Sequence, residues 1–363
     1  MKYILSGGGT GGHIYPALAI ANELRKRNRD NEILYVGKEG SLEEELVKTY
    51  GIDFEPIHIE GLPRKKINKQ TFITMLTLFK GLRECNKIIK KFKPDVVIGT
   101  GGYVCAPIVL KAQQKKIKTV IQEQNAYPGK TNRLLAKKAN LVSLNFEEAR
   151  EYLNTDNIII TGNPVRDDFE NIDRENARRE LGILDSEKFV LSFGGSGGQE
   201  STNEAVIDII KSKKDINFKF MHITGKTHYN KFMENLNKNN ISENITILNY
   251  SYEIPKLLMA SDLVIASSSA MTLAEVSAVG IASILIPKAY TAGNHQVFNA
   301  KSYENKGASK VILEENLNGD ILYNNIVELI SNDNLRNGMA LNSKKIGNIE
   351  AVKLLVDKIE SLK

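Results

Sequence analysis

The chain has 363 residues, of which 42% are hydrophobic and 25% charged, an ordinary globular composition that excludes disordered, collagen-like and low-complexity classes. At about 150 residues per domain, this length predicts two domains. Two cysteines, Cys85 and Cys105, are too few for a disulfide framework or a structural zinc site, which favours a reducing compartment. The net charge of +6 does not by itself indicate nucleic-acid binding, and we expect neither a signal peptide nor a membrane span.

Predicted strands and helices alternate in the first half of the chain. A short hydrophobic run at residues 3–5 leads into a glycine cluster, and helical periodicity follows from about residue 15. This alternation predicts a parallel sheet with helices on both faces, because parallel strands need helical crossovers. Strands are predicted at residues 3–5, 32–36, 96–99 and 119–122, and helices at residues 15–27 and 42–50.

A second α/β half begins near residue 161. Gly162, Asn163 and Pro164 are turn-forming residues, and the proline restricts Asn163 to extended conformations. The alternation of strands and helices then repeats, which predicts a second parallel sheet. Further strands are predicted at residues 189–193, 219–223, 245–248, 263–266 and 282–286, and helices at residues 175–181 and 349–362.

Each half contains a glycine-rich loop between a predicted strand and a predicted helix. Residues 7–12 read GGGTGG and have the G-x-G-x-x-G spacing of dinucleotide-binding folds, and residues 194–198 read GGSGG. Glycines let a ligand approach the backbone, and the following helix offers N–H groups and a positive dipole end to a phosphate. A tight turn without a ligand is the alternative interpretation. His13 follows the first loop directly and can take part in chemistry there.

The glycine loops leave more than one enzyme class open. A NAD-dependent oxidoreductase needs an acidic residue at the end of the second strand, where only Glu39 is available and lies late. An enzyme that holds a diphosphate through a carboxylate-bound metal would use an Asp-x-Asp motif, which the chain lacks. Helix dipoles and backbone donors are the simpler way to neutralise a diphosphate here.

An ordered set of short motifs resembles the MurG family of peptidoglycan glycosyltransferases. No single motif is decisive, but together they cover nearly the whole chain in the family's order. The motifs are GGTGGH at residues 8–13, GGY at 101–103, EQN at 123–125, GNPVR at 162–166, GGS at 194–196, AMTLAE at 270–275 and HQ at 295–296.

The resemblance implies a GT-B fold, in which two Rossmann-like parallel-sheet domains face each other across a cleft. It implies an inverting transfer of N-acetylglucosamine from UDP-N-acetylglucosamine to the 4-hydroxyl of MurNAc in lipid I, which gives lipid II, with no cofactor and no metal. Residues 1–161 would form the acceptor and membrane-associated domain, with the helix at 349–363 packing back on it. Residues 162–348 would bind the UDP-sugar.

The resemblance also assigns roles to single residues. Glu275 matches a carboxylate that holds the ribose hydroxyls, and Gln296 matches a glutamine that reads the sugar. On the acceptor side, Gly102 and Tyr103 match the GGY motif. The other positions implied to bind substrate are Thr10, Gly11, Gly12, Asn125, Arg166, Ser196, Ala270, Met271, Thr272 and His295. The chain departs from the family at Ser269, at residues 197–199 and at His295, which bears on the fine sugar contacts.

Three residues are candidates for catalysis, namely His13, Glu123 and Asn125. His13 and Asn125 match acceptor-side residues at the reaction centre. His13 is the best candidate for the base that accepts the proton of the attacking hydroxyl, because imidazole can be neutral at pH 7. Glu123, beside Asn125, is the rival base, and the choice between them stays open.

A basic stretch at residues 64–93 contains hydrophobic residues at helical spacing. This composition is typical of a helix that lies on an anionic membrane surface, and a lipid-linked acceptor requires the enzyme to work near one. The alternative is an ordinary helix whose apolar stripe faces the core. The expected membrane patch consists of Phe72, Ile73, Leu76, Phe79, Lys80 and Arg83.

The expected partners are UDP-N-acetylglucosamine, undecaprenyl-linked lipid I, the anionic inner membrane surface and other cell-wall synthesis proteins. The protein would then be peripheral at the cytoplasmic face of the cell membrane. A binding module for nucleotide sugars without catalysis is disfavoured by His13 and Asn125, which only an acceptor would need. A nucleic-acid binder is disfavoured because no basic face carries interleaved aromatic residues.

Overall fold

Two compact units make up the chain in the computed structural model. One comprises Met1–Val165 and Glu350–Lys363, and the other comprises Arg166–Ile349. The structure describes residues 1–61, 69–165, 169, 172–195, 197–212, 215–236 and 241–362, with the backbone alone at 69–73. We call the two parts unit 1 and unit 2.

Unit 1 is built on a parallel sheet of seven strands in the order β3-β2-β1-β4-β5-β6-β7. Helices cover both faces, so the central strands are continuous hydrophobic runs rather than alternating ones. In the register of the sheet, Leu5 lies between Tyr35 and Ile98. The strands are β1 (Lys2–Gly7), β2 (Glu32–Lys38), β3 (Asp53–Ile57), β4 (Val96–Gly101), β5 (Lys118–Glu123), β6 (Leu141–Leu144) and β7 (Ile158–Ile160).

The helices of unit 1 form two layers with a hydrophobic core on each side of the sheet. One core contains buried residues of α3, α4 and α5, and the other contains those of α1, α2 and α14. The last helix packs on the first, with Leu355 and Val356 in the same core as Leu18. The helices are α1 (Gly11–Arg27), α2 (Leu42–Thr49), α3 (Lys69–Phe92), α4 (Ala106–Gln114), α5 (Lys130–Ala136) and α14 (Ala351–Glu360).

Unit 2 contains a parallel sheet of six strands in the order β10-β9-β8-β11-β12-β13. Its strands are β8 (Phe189–Phe193), β9 (Lys219–Ile223), β10 (Ile245–Leu248), β11 (Leu263–Ala266), β12 (Ala282–Leu285) and β13 (Ser309–Val311). Its helices are α6 (Arg174–Glu180), α7 (Glu200–Lys211), α8 (Tyr229–Asn235), α9 (Ile254–Ala260), α10 (Ala270–Val279), α11 (His295–Asn305), α12 (Gly319–Ser331) and α13 (Asp333–Ile346).

Both glycine loops leave their sheets at the point where the strand order reverses. In unit 1 the strand order reverses between β1 and β4, and the glycine loop, which continues to residue 10, begins at the end of β1. Unit 2 reverses between β8 and β11, and the loop at residues 194–198 follows β8. Ligands of open α/β sheets bind outside the carboxyl ends of the strands at such points, so each loop lies where a ligand is expected.

The predicted fold class, two Rossmann-like parallel-sheet domains, is confirmed. The predicted strands are all present, but helix α1 begins at Gly11 rather than near residue 15. His13 therefore lies inside the first turn of α1, where its backbone N–H contacts the carbonyl of Thr10 at 3.1 Å. Five short strands complete the sheets, namely β3, β6, β7, β10 and β13. Of these, only β10 was predicted from the sequence.

Candidate active site

The first glycine loop is fixed in place by polar side chains of neighbouring elements. The carbonyl of Gly7 accepts a hydrogen bond from the Tyr35 hydroxyl at 2.6 Å. A Cβ placed on Gly8 would lie 2.6 Å from Oε1 of Glu43, which is 2% exposed. Any larger residue at position 8 would therefore displace a buried carboxylate. The loop is a fixed backbone surface rather than a loose turn.

His13 is oriented by this loop. Its Nδ1 lies 3.1 Å from the carbonyl oxygen of Gly8 and 3.2 Å from Oγ1 of Thr10. Because a carbonyl oxygen can only accept, the contact with Gly8 assigns the proton of the neutral ring to Nδ1. The lone pair is then on Nε2.

The His13 ring lies against the backbone at the end of β4. A Cβ on Gly101 would be 2.6 Å from Cδ2 and 3.1 Å from Nε2 of His13. Gly101 has a φ of 110° and Gly102 a φ of 76°, a region that side chains other than glycine rarely adopt. The GGY motif therefore makes room for the imidazole.

Glu123, at the end of β5, is 1% exposed and accepts hydrogen bonds from four N–H groups. They come from the backbone of Asn125 at 2.9 Å and its side chain at 3.2 Å, the backbone of Gly129 at 3.1 Å and the side chain of Asn132 at 2.9 Å. Burial raises the pKa of Glu123, and these four hydrogen bonds oppose the rise. The carboxylate shapes the loop that carries Asn125 and joins it to helix α5.

The contacts around His13 and the hydrogen bonds around Glu123 meet at Gly101. A Cβ there would also lie 3.5 Å from Nδ2 of Asn132, in addition to its contact with His13. The structure thus brings His13, Asn132 and Glu123 to one edge of the sheet. Asn132 was missed by the sequence analysis, and the signal that could have found it is its place at the start of α5, seven residues after Asn125.

Tyr103 packs beside the first loop. A Cβ on Gly9 would lie 3.5 Å from its ring. Burial raises the pKa of the Tyr103 phenol, Lys38 opposes the rise, and Glu43 and Glu60 add to it. Lys38 and Glu60 form an ion pair of 3.1 Å. Thr10, Gly11 and Gly12, which were predicted to bind substrate, lead from the loop into α1.

The second glycine loop contacts the ends of β9 and β11. A Cβ on Gly198 would lie 2.1 Å from the carbonyl oxygen of Thr224, and one on Gly195 would lie 3.3 Å from Oγ of Ser267. Gly198 has a φ of 72°. The contact between Gly195 and Ser267 places the loop against the segment that leads into α10. Ser196 of this loop and Arg166 lie outside the described residues.

Helix α10 begins at the carboxyl edge of this sheet. Ser269 caps it, with Oγ accepting the N–H of Thr272 at 3.3 Å. Ala270, Met271 and Thr272 form the first turn, whose N–H groups and dipole attract an anion. Glu275 is half-buried, one turn further on.

Gln296 connects two segments at this edge. It is 6% exposed, its Oε1 accepts the backbone N–H of Lys288 at 3.0 Å, and its carbonyl accepts the hydroxyl of Ser268 at 2.8 Å. His295 is half-buried, and its Nδ1 lies 2.9 Å from the carbonyl of Ala292. Asn299, which the sequence analysis missed, donates to the carbonyl of Ser268 at 3.1 Å and fixes the same segment.

A fully buried polar network lies beneath the second loop. Nδ1 of His222 lies 2.9 Å from Oγ of Ser192, and its Nε2 lies 3.0 Å from Oδ1 of Asn203. Asn203 donates to the carbonyl of Thr224 at 3.1 Å, the same carbonyl that Gly198 approaches. Burial lowers the pKa of His222 to about 3, so this histidine is a neutral structural residue.

Helix α3 presents hydrophobic side chains to solvent in its first half. Met75, Leu76 and Phe79 are 51%, 54% and 60% exposed, and Lys80 and Arg83 are exposed beside them. The second half of the helix instead buries Cys85, Ile88 and Ile89 in the core. The alternative that the stripe faces the core is therefore wrong for Leu76 and Phe79. The side chains of Phe72 and Ile73 lie outside the described residues.

Comparisons with known proteins agree with this geometry. Models of the glycosyltransferase family 28 N-terminal and C-terminal domains match residues 3–143 and 189–358. A UDP-N-acetylglucosamine–N-acetylmuramyl-(pentapeptide) pyrophosphoryl-undecaprenol N-acetylglucosamine transferase of Finegoldia magna is 47% identical over 366 residues, covering 100% of this chain and 98% of that protein. The chain belongs to the MurG family of N-acetylglucosaminyltransferases.

Other members of the MurG family match over similar lengths. The Acetivibrio thermocellus protein of the same name is 43% identical, covering 100% of this chain and 98% of that protein. The crystal structure of Acinetobacter baumannii MurG matches with a TM-score of 0.80 and 25% identity, covering 99% of this chain and 100% of that one. The GT-B fold that the motifs implied is confirmed.

Proposed function

We propose that the protein transfers N-acetylglucosamine from UDP-N-acetylglucosamine to the 4-hydroxyl of MurNAc in undecaprenyl-pyrophosphoryl-MurNAc-pentapeptide, with inversion at the anomeric carbon. Relatives whose names state this donor and this acceptor match the chain along its full length. The observation in the structure that carries the proposal is the orientation of His13 by the Gly8 carbonyl at a topological switch point.

Unit 2 would bind the donor. The first turn of α10, with Ala270, Met271 and Thr272, offers N–H groups for the diphosphate, and the second glycine loop lies against the segment before it. Glu275 would accept hydrogen bonds from the ribose hydroxyls. The resemblance implies four further residues that would contact the donor, namely Arg166, Ser196, His295 and Gln296.

Unit 1 would bind the acceptor sugar. Thr10, Gly11 and Gly12 offer the start of α1, and Gly102 and Tyr103 lie against the loop beside His13. Asn125 is the further acceptor-side residue that the resemblance implies. Glycines at the loop let a sugar hydroxyl come close to the imidazole. Asn125 is held by Glu123 through both its backbone and its side-chain N–H groups.

The reaction needs one proton acceptor and one leaving group. The 4-hydroxyl oxygen bonds to the anomeric carbon while the bond from that carbon to the β-phosphate oxygen breaks, and the electron pair leaves with UDP. We assign the hydroxyl proton to Nε2 of His13, which the Gly8 contact leaves as the lone-pair nitrogen. Glu123 is the weaker candidate, because four N–H groups already bind its two oxygens.

The exposed part of α3 would bind an anionic membrane. Met75, Leu76 and Phe79 offer hydrophobic surface, and Lys80 and Arg83 offer positive charge to lipid headgroups. Within the described residues, no helix combines the length and hydrophobicity that a membrane span requires. We infer a peripheral position at the cytoplasmic face of the cell membrane, where lipid I and other cell-wall synthesis proteins would be met.

The test of this function is a transfer assay with a lipid I analogue. Purified protein should release UDP from UDP-N-acetylglucosamine only when the analogue is present, and the product should carry one added N-acetylglucosamine of inverted configuration. Titration with NAD should give no binding. Failure of the wild-type protein to bind UDP, or binding of the donor without transfer to any MurNAc acceptor, would contradict the proposal.

A further inference from the structure

Lys288 brings a positive charge to the second glycine loop from a distant strand. It follows β12, and its Nζ donates to the carbonyl oxygen of Gly198 at 2.7 Å. Strand β11 lies between β12 and β8, so the side chain crosses the carboxyl end of β11 to reach the loop after β8. The ammonium therefore lies at the switch point of unit 2.

The ammonium has unused capacity to bind. Lys288 is half-buried, and in the part of unit 2 that the structure describes, the Gly198 carbonyl is the one hydrogen-bond acceptor of its Nζ. A lysine ammonium carries three donors. Burying a positive charge without a counter-charge is costly, so a partly buried cation of this kind favours an anionic ligand.

The carboxylate whose charge acts on Lys288 is already occupied by other donors. Glu314 accepts from the Ser201 hydroxyl at 2.6 Å, the Gln199 amide at 2.8 Å and the Ala289 backbone at 2.7 Å. Burial lowers the pKa of Lys288, and Glu314 only opposes this effect from a distance. Glu314 thus holds the backbone next to Lys288 and leaves the ammonium available.

The backbone of Lys288 belongs to the same network as the start of α10. Its N–H donates to Oε1 of Gln296, whose carbonyl accepts the hydroxyl of Ser268, one residue before the cap of α10. Gly195 of the loop faces Ser267 on the same segment. The ammonium, the loop and the first turn of α10 are therefore joined by short contacts at one edge of the sheet.

We propose that Lys288 binds the diphosphate of the UDP-sugar and stabilises the charge on the departing UDP. When the bond between the anomeric carbon and the β-phosphate oxygen breaks, the electron pair stays on that oxygen. Lys288 remains protonated and supplies a fixed positive charge beside it. The assignment rests on the proposed function, because it takes the donor to be a nucleoside diphosphate sugar.

Four variants test the assignment by titration with UDP and with uridine, which lacks phosphate. Lys288→Met should weaken UDP binding by about tenfold or more, the worth of a charge-assisted hydrogen bond, and leave uridine binding within twofold. Lys288→Arg should keep most of the UDP affinity. Lys288→Gln, which can still donate to Gly198 but carries no charge, should resemble Lys288→Met. The matched control is Lys310→Met, which replaces a lysine of unit 2 that forms an ion pair with Glu328 and does not contact the glycine loop.

Salt dependence gives a second measurement of the same contact. UDP affinity of the wild-type protein should fall more steeply with ionic strength than that of Lys288→Met, because one ion pair is lost in the variant. Recovery of UDP affinity in Lys288→Gln would overturn the proposal and reduce Lys288 to a clamp on Gly198. Parallel loss of uridine binding, or UDP affinity of Lys288→Met within twofold of wild type, would overturn it as well.

The proposal and the function on which it rests fail in different ways. If the wild-type protein binds UDP and transfers N-acetylglucosamine while Lys288→Met is unchanged, only the assignment of Lys288 is wrong. If the wild-type protein does not bind UDP, the proposed function is wrong. Thermal melting of each variant identifies misfolded protein, and Lys288→Gln decides the matter if Lys288→Met does not fold.

Discussion

The two glycine loops occupy equivalent places in two similar sheets but are supported by opposite chemistry. The first is held from below by Tyr35 and Glu43 and leads into a helix that carries His13. The second is held by the ammonium of Lys288 and lies close against the carbonyl of Thr224. One scaffold thus presents an imidazole in unit 1 and an ammonium in unit 2. The fold provides the position, and a few side chains decide what each position does.

The comparison is tested most severely at His13. His13→Ala should lower kcat by on the order of 10²–10⁴-fold, the usual contribution of a general base. UDP affinity should stay unchanged, because the donor residues belong to unit 2. The acidic limb of the kcat–pH profile should also disappear, since protonation of the imidazole is what would produce it.

Glu123→Gln is the matched control for the role of His13. It should lower kcat by disturbing the loop that carries Asn125, yet keep the acidic limb. If His13→Ala keeps that limb while Glu123→Gln loses it, the base is Glu123, and unit 1 offers a carboxylate rather than an imidazole.

Acid should weaken unit 2 through His222. Its pKa is about 3 in the folded protein and about 6.5 when unfolded, so its stabilising effect is complete above pH 6.5 and is lost as the pH falls towards 3. Between pH 6.5 and 4.5 this amounts to about 2–3 kcal/mol.

His222→Gln removes this titration and isolates its effect. The variant should be less stable at pH 7 but should lose about 2–3 kcal/mol less than wild type on going to pH 4.5, as measured by denaturant unfolding of unit 2. His58→Gln, at an exposed histidine beside Glu84, is the control. Equal losses in wild type and His222→Gln would show that His222 is not the group responsible.

The donor assignment of unit 2 is tested at Glu275. Glu275→Ala should raise the KM for UDP-N-acetylglucosamine by about tenfold or more, because charge-assisted hydrogen bonds to the ribose are lost. The KM for the acceptor should change little. Glu315→Ala, an exposed carboxylate of the same unit, should leave both values unchanged. A donor KM within twofold of wild type would remove Glu275 from the site.

The smallest expected effect concerns the membrane and should belong to unit 1 alone. Replacing Leu76 and Phe79 by serine should reduce binding to anionic vesicles about fivefold and leave UDP binding intact, because the side chains are exposed. Leu184→Ser, at a leucine of unit 2 that is 65% exposed, is the control. Equal vesicle binding by both variants would show that exposure alone, rather than this patch, determines attachment.

The sequence predicts those parts of the site that lie in continuous motifs. The glycine loops, His13 and the start of α10 follow from residue order, since a strand, a glycine cluster and a helix form one local unit. The residues that support them do not. Lys288 meets Gly198 across 90 positions, and His222 meets Ser192 across 30. Such contacts depend on strand order, which no short motif encodes.

Helix α3 shows the same limit for a surface. Its hydrophobic spacing predicts an amphipathic helix, but not which apolar residues reach the core. Leu76 and Phe79 are exposed, while Ile88 and Ile89 are buried in the core that also contains residues of α4. The position of the neighbouring helix decides this, and that position is a property of the fold.

The return of helix α14 to unit 1 has a consequence for synthesis of the protein. Unit 2 is continuous in sequence, so its core can close while the ribosome still holds the last helix. One core of unit 1 is completed only after α14 has been synthesised, because Leu355 and Val356 belong to the core that also contains Leu18. Until α14 emerges, the face of α1 that it covers remains exposed on the nascent chain, as an apolar surface of the kind that chaperones bind.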